Sequence, residues 1–197
     1  MPETQYAKAT MLCAAGLAAV VMLAAAPVTA RQKSARETFT AFAVSTGGAR
    51  SGPVANQVVF TVERWSSNAQ RQRLADALRE KGATGLLDAM QDLPEVGRMR
   101  TPNDIGYALR YADQQPLPEG GRRVVLATDR PIQFWETWNA ARTLDYPFTL
   151  VELQLDKEGR GTGKLSLAVK VIAKNGRVVL ENWDSAPVNL NEVRTER

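Results

Sequence analysis

The pair Asn175-Gly176 lies between two segments of alternating character, and no other feature of the sequence restricts the fold as tightly. Asparagine and glycine adopt positive φ at low cost, so a two-residue type I′ turn here joins Leu165–Lys174 to Arg177–Trp183 as an antiparallel hairpin. The same period of two recurs along the chain. In Gln57–Trp65, Val58, Phe60 and Val62 share one side, while Val59, Thr61 and Glu63 take the other. Glu37–Val44 places Phe39 and the following odd positions on one face, and Pro147–Leu155 alternates as cleanly. Val96–Arg100, Tyr107–Ala112 and Arg123–Thr128 read as further extended segments, the last two separated by the turn residues Pro116, Pro118, Gly120 and Gly121. These make about eight strands, joined too closely for most crossovers, so the sheet is expected to be mainly antiparallel.

Helical spacing interrupts the pattern once. Ser66, Ser67 and Asn68 supply capping oxygens, Leu74, Ala75, Ala77 and Leu78 recur at helical intervals, and Gly82 closes the run, which predicts a helix over Ser67–Lys81. A shorter helix is expected over Thr84–Gln91, with Leu86, Leu87, Met90 and Leu93 on its apolar side and Pro94 as its stop. The expected fold class is therefore α+β: a mostly antiparallel curved sheet or partial barrel with a two-helix insertion packed on it. Gly159-Arg160-Gly161-Thr162-Gly163 lacks the Lys-Ser/Thr end of a phosphate loop and sits between strand-like segments, so it reads as a turn.

The first thirty residues have the layout of a secretory signal: a polar start with Lys8, an apolar run from Met11 to Ala26, and a small-residue exit, Pro27-Val28-Thr29-Ala30. Cleavage after Ala30 is expected, which divides the chain into a signal peptide at 1–30, a linker at 31–36 and a single domain at 37–197. The apolar run is short against the roughly 20 residues that a membrane-crossing helix needs, so no stable span is expected once the signal is removed. Cys13, the single cysteine, falls inside the signal and leaves the domain without a disulfide. The expected location is periplasmic or secreted.

The chain has no histidine, which removes the commonest general base and the commonest zinc ligand. A net charge of +4 is spread among mixed acidic and basic residues with no concentrated basic stripe, so a nucleic-acid partner is not expected. No Gly-x-Ser-x-Gly elbow is present. The acid/base chemistry left open rests on carboxylates, with Asp129, Glu136, Asp145 and Glu152 as the pool. The acids Asp156, Glu158 and Asp184, with Asn182, do not have calcium-loop spacing, and neither a metal nor a cofactor is expected. The densest aromatic stretch runs from Pro131 to Trp138. Trp135 and Trp138 would share a face on a helical turn, and two readings stand: core filling over an open end of the sheet, or a ligand surface formed by Arg130, Phe134, Trp135, Glu136 and Trp138.

Four segments, Glu63-Arg64-Trp65-Ser66, Leu126-Ala127-Thr128-Asp129-Arg130-Pro131, Asp145-Tyr146-Pro147-Phe148-Thr149-Leu150 and Leu167-Ala168-Val169-Lys170, together resemble a family of uncharacterised exported bacterial proteins. The likeness spans roughly Val58 to Arg194. It implies a bacterial, extracytoplasmic setting and carries no activity, ligand or catalytic residue. The functional expectation is a non-enzymatic periplasmic or secreted domain that binds a small ligand or an envelope partner. A carboxylate-dependent hydrolase or transferase is the alternative, and a structural envelope protein whose sheet edge pairs with another chain is a third reading.

Overall fold

A computed structural model describes residues 36–45, 54–101, 105–130, 146–174, 177–182 and 187–196. The expected signal peptide and the linker up to residue 35 lie outside the described residues, as do Phe134, Trp135, Glu136, Trp138 and Asp145.

The strands are β1 (Glu37–Ser45), β2 (Val54–Val62), β3 (Gly97–Arg100), β4 (Tyr107–Leu109), β5 (Tyr111–Pro116), β6 (Arg122–Thr128), β7 (Phe148–Leu155), β8 (Arg160–Lys174), β9 (Arg177–Asn182) and β10 (Val188–Glu196). They form one antiparallel sheet in the order β4-β3-β2-β1-β10-β8-β7-β6-β5, with β9 paired to β8 off this path. Lys174 pairs with Arg177, so the β8–β9 loop has the two residues that Asn175-Gly176 require; their own conformation lies outside the described residues. The two ends of the strand order, β4 and β5, are consecutive in the chain and separated by Arg110 alone. Tyr107–Ala112, expected as one strand, therefore breaks at Arg110: its first part pairs with β3 and its continuation with β6. Val96 N–H donates to Leu109 O (2.8 Å) on one side of the break and Arg110 N–H to Ala127 O (2.9 Å) on the other. Ser66 adds a second clasp, donating its N–H to Ala112 O (2.8 Å) and accepting Ala112 N–H on its hydroxyl (3.1 Å). The sheet is a nearly closed barrel, in which edge groups that an open sheet would expose are paired.

Alternation fills the interior. Phe39, Val58, Phe60, Val62, Met99, Leu126, Leu153, Leu165 and Leu190 have no exposed surface, which leaves no water-sized space beside them. The barrel is a packed core rather than a lumen. Polar groups finish it at both ends. At one, Arg122 is held bidentately by Glu37 (Nη2 to Oε2 2.5 Å, Nη1 to Oε1 3.2 Å), donates to Gln114 Oε1 at 2.7 Å, and lies 5.5 Å from the Phe39 ring centre. At the other, the buried Thr128 hydroxyl donates to Arg130 O, and the Thr149 hydroxyl, 3.2 Å from the same oxygen, directs its single proton to Leu167 O at 2.6 Å.

Two glycines expected in a turn serve the barrel instead. The turn is confined to Asp156–Gly159, and Gly161 and Gly163 lie within β8. A side chain at Gly161 would put its Cβ 1.8 Å from Gln154 O, and one at Gly163 would meet Glu152 O at 2.5 Å. Only glycine permits the backbones to approach this closely where the strand coils. β10, which the sequence reading did not anticipate, carries a bulge. Its pairing with β8 slips by one residue between Leu190 and Val193 and that with β1 between Asn191 and Arg194, and Glu192 takes φ 50° there. The bulge keeps both Leu190 and Val193 inside although they are three apart.

The expected two-helix insertion is instead a single helical element, α1 (Asn68–Gln91), bent at Gly82, where φ is 65° and ψ −154°. No loop separates its limbs, since one residue absorbs the whole change of direction. Ser67 caps the first limb in a reciprocal capping box with Gln70. Arg73 and Asp92 would stand about 28 Å apart along a straight helix, yet Arg73 Nη2 lies 2.7 Å from Asp92 Oδ2. The limbs therefore double back and present Leu74 and Leu78 together with Leu86, Ala89 and Met90 to the sheet.

Two substitutions test these backbone assignments. Gly82→Ala meets no steric obstacle but forces a side chain into a region used almost only by glycine, so denaturant melts should show a loss of roughly 1–3 kcal/mol. Glu192→Gly relieves a left-handed residue and should raise stability by up to about 1 kcal/mol in the same assay.

Candidate functional site: a groove between helix and barrel

The site grows out of a face reversal in β8. Leu150 pairs with Ser166 and Phe148 with Val169, a slip of one residue. As a result Leu165 points into the barrel, while Val169 and Val171 point out of it. Together with Ala127, Phe148 and Leu150 they make an apolar patch on the outer face, which α1 covers. The cover leaves a cavity of ≈ 400 Å³ between Leu74, Leu78, Leu86 and Met90 of the helix and Val125, Ala127, Leu150 and Val171 of the sheet. Leu180 of β9 lines it too and is half exposed.

Polarity rises along the ladder. Ala127 pairs with Tyr111 and Leu150, Val125 with Asp113 and Glu152, and Arg123 with Gln115 and Gln154. Moving from Ala127 to Arg123, the groove wall therefore changes from apolar to charged. Each charge is already matched. The buried Asp113 pairs with Arg71 from the first turns of α1, and Arg71 is also held by Asn68. Arg123 donates from Nη2 to Glu152 Oε2 at 3.0 Å; its Nε is equally near Oε1 but is not aligned for a hydrogen bond. Tyr111 stands between the apolar and charged ends. Burial first, and the Asp113 carboxylate second, push its pKa above 10.0, with Arg71 opposing them, so the phenol stays a neutral donor.

Of the candidates named from the sequence, Arg130 is described. It is exposed at the end of β6, its Nε 3.9 Å from Asp129 Oδ1, and it does not line the groove. Phe134, Trp135, Glu136 and Trp138 lie outside the described residues. Asp129 is paired with Arg110 (3.3 Å) and Glu152 with Arg123. On β6 the cross-strand partner of Glu152 is Val125, four residues from Asp129, or about 13 Å along a strand, so the backbone does not bring the two acids together. The groove residues carry no catalytic or ligand motif in the sequence. Their signal was nevertheless present: Val124-Val125, Leu126-Ala127 and Leu150-Val151 are apolar on both faces, the mark of strands covered on both sides.

Among the described residues no group of acids or cysteine is arranged to hold a metal, and no helix is long and apolar enough to cross a membrane. Fold and groove together define an antiparallel barrel with a bent helix over an external apolar groove. No protein-family model, curated protein or solved structure was found to match the chain.

Tyr111 contributes stability that is complete below pH 10 and falls as pH rises from there towards its raised folded-state value, because the unfolded chain releases the phenolic proton first. Unfolding free energies measured on either side of pH 10 should show a smaller alkaline loss in Tyr111→Phe than in the parent.

Proposed function

We propose that the protein is a non-enzymatic binding domain whose groove takes one small, mainly apolar ligand with an uncharged polar head. The groove carries this reading: ≈ 400 Å³ is within the range of small-molecule sites, and its lining is apolar with a few polar groups gathered at one end. An uncharged head follows from the electrostatics. Arg71 and Arg123 are each satisfied by a carboxylate, so an anionic head would have to break an existing pair, whereas the Tyr111 hydroxyl is a neutral donor beside the apolar wall. The export signal in the sequence, and the family it resembles, support a periplasmic or secreted setting for this binding. The carboxylate-dependent hydrolase or transferase has less support, because Asp129 and Glu152 are tied up in separate ion pairs.

Calorimetric titration with 1-octanol and with octanoate tests the reading. Octanol should bind with one-to-one stoichiometry and octanoate more weakly. Val125→Trp, which fills the groove from the half-buried outer face of β6, should weaken octanol by about tenfold or more without lowering the melting temperature. Absence of octanol binding, or binding indifferent to Val125→Trp, would remove the groove as the site.

A further inference from the structure

α1 covers the outer face only around β6, β7 and the second part of β8. On β3, β2, β1, β10 and the beginning of β8, the outer side chains are set by register alone. Arg100 is opposite Val59, Val59 opposite Thr40, Thr40 opposite Arg194, and Arg194 opposite Arg160. Three exposed arginines thus lie on one line across five strands, spanning about 19 Å at the usual strand spacing. Lys164, also exposed, follows on the same face of β8 but stands opposite Glu152 of β7, so the row proper is the three arginines. The composition gave no hint of this row, since its members are far apart in sequence and only the pairing brings them together.

The row is poorly neutralised. Arg194 and Arg160 are direct cross-strand neighbours of like charge, an arrangement that costs stability. Among the described residues Arg100 and Arg160 have no ion-pair partner, and Arg194 has only Glu192 at 3.4 Å, with both side chains largely exposed, a pairing of little strength. Beside the row, one outward position on from Thr40, stands Phe42. It is 46% exposed at the middle of the face, flanked by Gln57 and Asn191 across the two ladders.

We propose that this face binds an acidic glycan, a chain of carboxylate-bearing sugars. The arginines match the carboxylates, the Phe42 ring offers an apolar surface to a sugar face, and the flanking amides match hydroxyls. The row runs around the barrel rather than along it, so it is convex, and a flexible single chain can follow it where a planar membrane would touch only part. This surface is separate from the groove, and neither reading depends on the other.

Fluorescence anisotropy of labelled polygalacturonate oligomers, with the purified protein, tests the proposal. Binding is expected at low ionic strength and should weaken steeply with salt. Arg160→Glu with Arg194→Glu should reduce it by about tenfold or more. Phe42→Ser should weaken polygalacturonate several-fold. The groove variant Val125→Trp should bind the glycan as the parent does. Arg160→Glu alone replaces a repulsion by an attraction, so it should raise the melting temperature by about 1–3 °C while weakening the glycan, a combination that misfolding cannot produce. The proposal is overturned by no binding at low salt, by affinity indifferent to Arg160→Glu, by oligo-dT binding as tight as polygalacturonate, or by adsorption solely to phosphatidylglycerol vesicles.

Discussion

The structure depends on the seam at Arg110. The main path of the sheet has two ends, and here both are formed by one continuous stretch that leaves β3 and joins β6 within a single residue, with β9 branching from β8 off this path. Arg110 secures that junction with its backbone and its side chain. Its N–H completes the ladder to Ala127, while its guanidinium donates to Leu93 O (2.9 Å) just past the helix and pairs with Asp129 just past β6. Closure is what allows Leu109 and Ala112, on either side of the break, to be buried in the same core as Phe39 and Leu190. An open sheet of these strands would leave the Tyr107–Pro116 stretch without one of its two partners.

Closure also divides the outer surface. A filled barrel has no interior site to offer, so recognition is left to the outside, and the outside has two characters. Around β6, β7 and the second part of β8, outward apolar residues require a cover, and the bent helix supplies one without filling the space beneath it. Around β3, β2, β1 and β10 the outward residues are mostly threonine, asparagine, glutamine, arginine and glutamate, with Val59 and the exposed Phe42 among them, and the helix does not extend over them. The one-residue slip in β8 marks the change, because it turns Val169 and Val171 outward where continued alternation would have turned them in.

Much of this was legible in the sequence. Alternation located β1, β2 and β7, a short apolar run located β6, Asn175-Gly176 specified the β8–β9 loop length, and Gly82 marked the point where the helix changes direction. The failures have a common cause. β10 was missed because the bulge at Glu192 shifts its inward residues from even to odd positions, which breaks the period of two. Gly161 and Gly163 suggested a turn because glycine's value here is close approach between neighbouring strands, a property of the pair and not of the segment. The groove was not legible for a similar reason. A groove wall made of Val125, Leu150 and Val171 has no chemical signature, and its residues belong to one site only once the ladders align them.

The sequence by itself determined the local geometry: which segments extend, which side of each is apolar, where a helix begins under its serine cap, and that histidine chemistry is absent. These follow from side-chain periodicity and backbone preference, which act over a few residues. Only the tertiary structure decided that the sheet closes, that helix and strand faces separated by tens of residues enclose a cavity, and that Arg100, Arg194 and Arg160 form a line. Those depend on register, and register is fixed by the simultaneous burial of every inward face, a condition that no single segment contains.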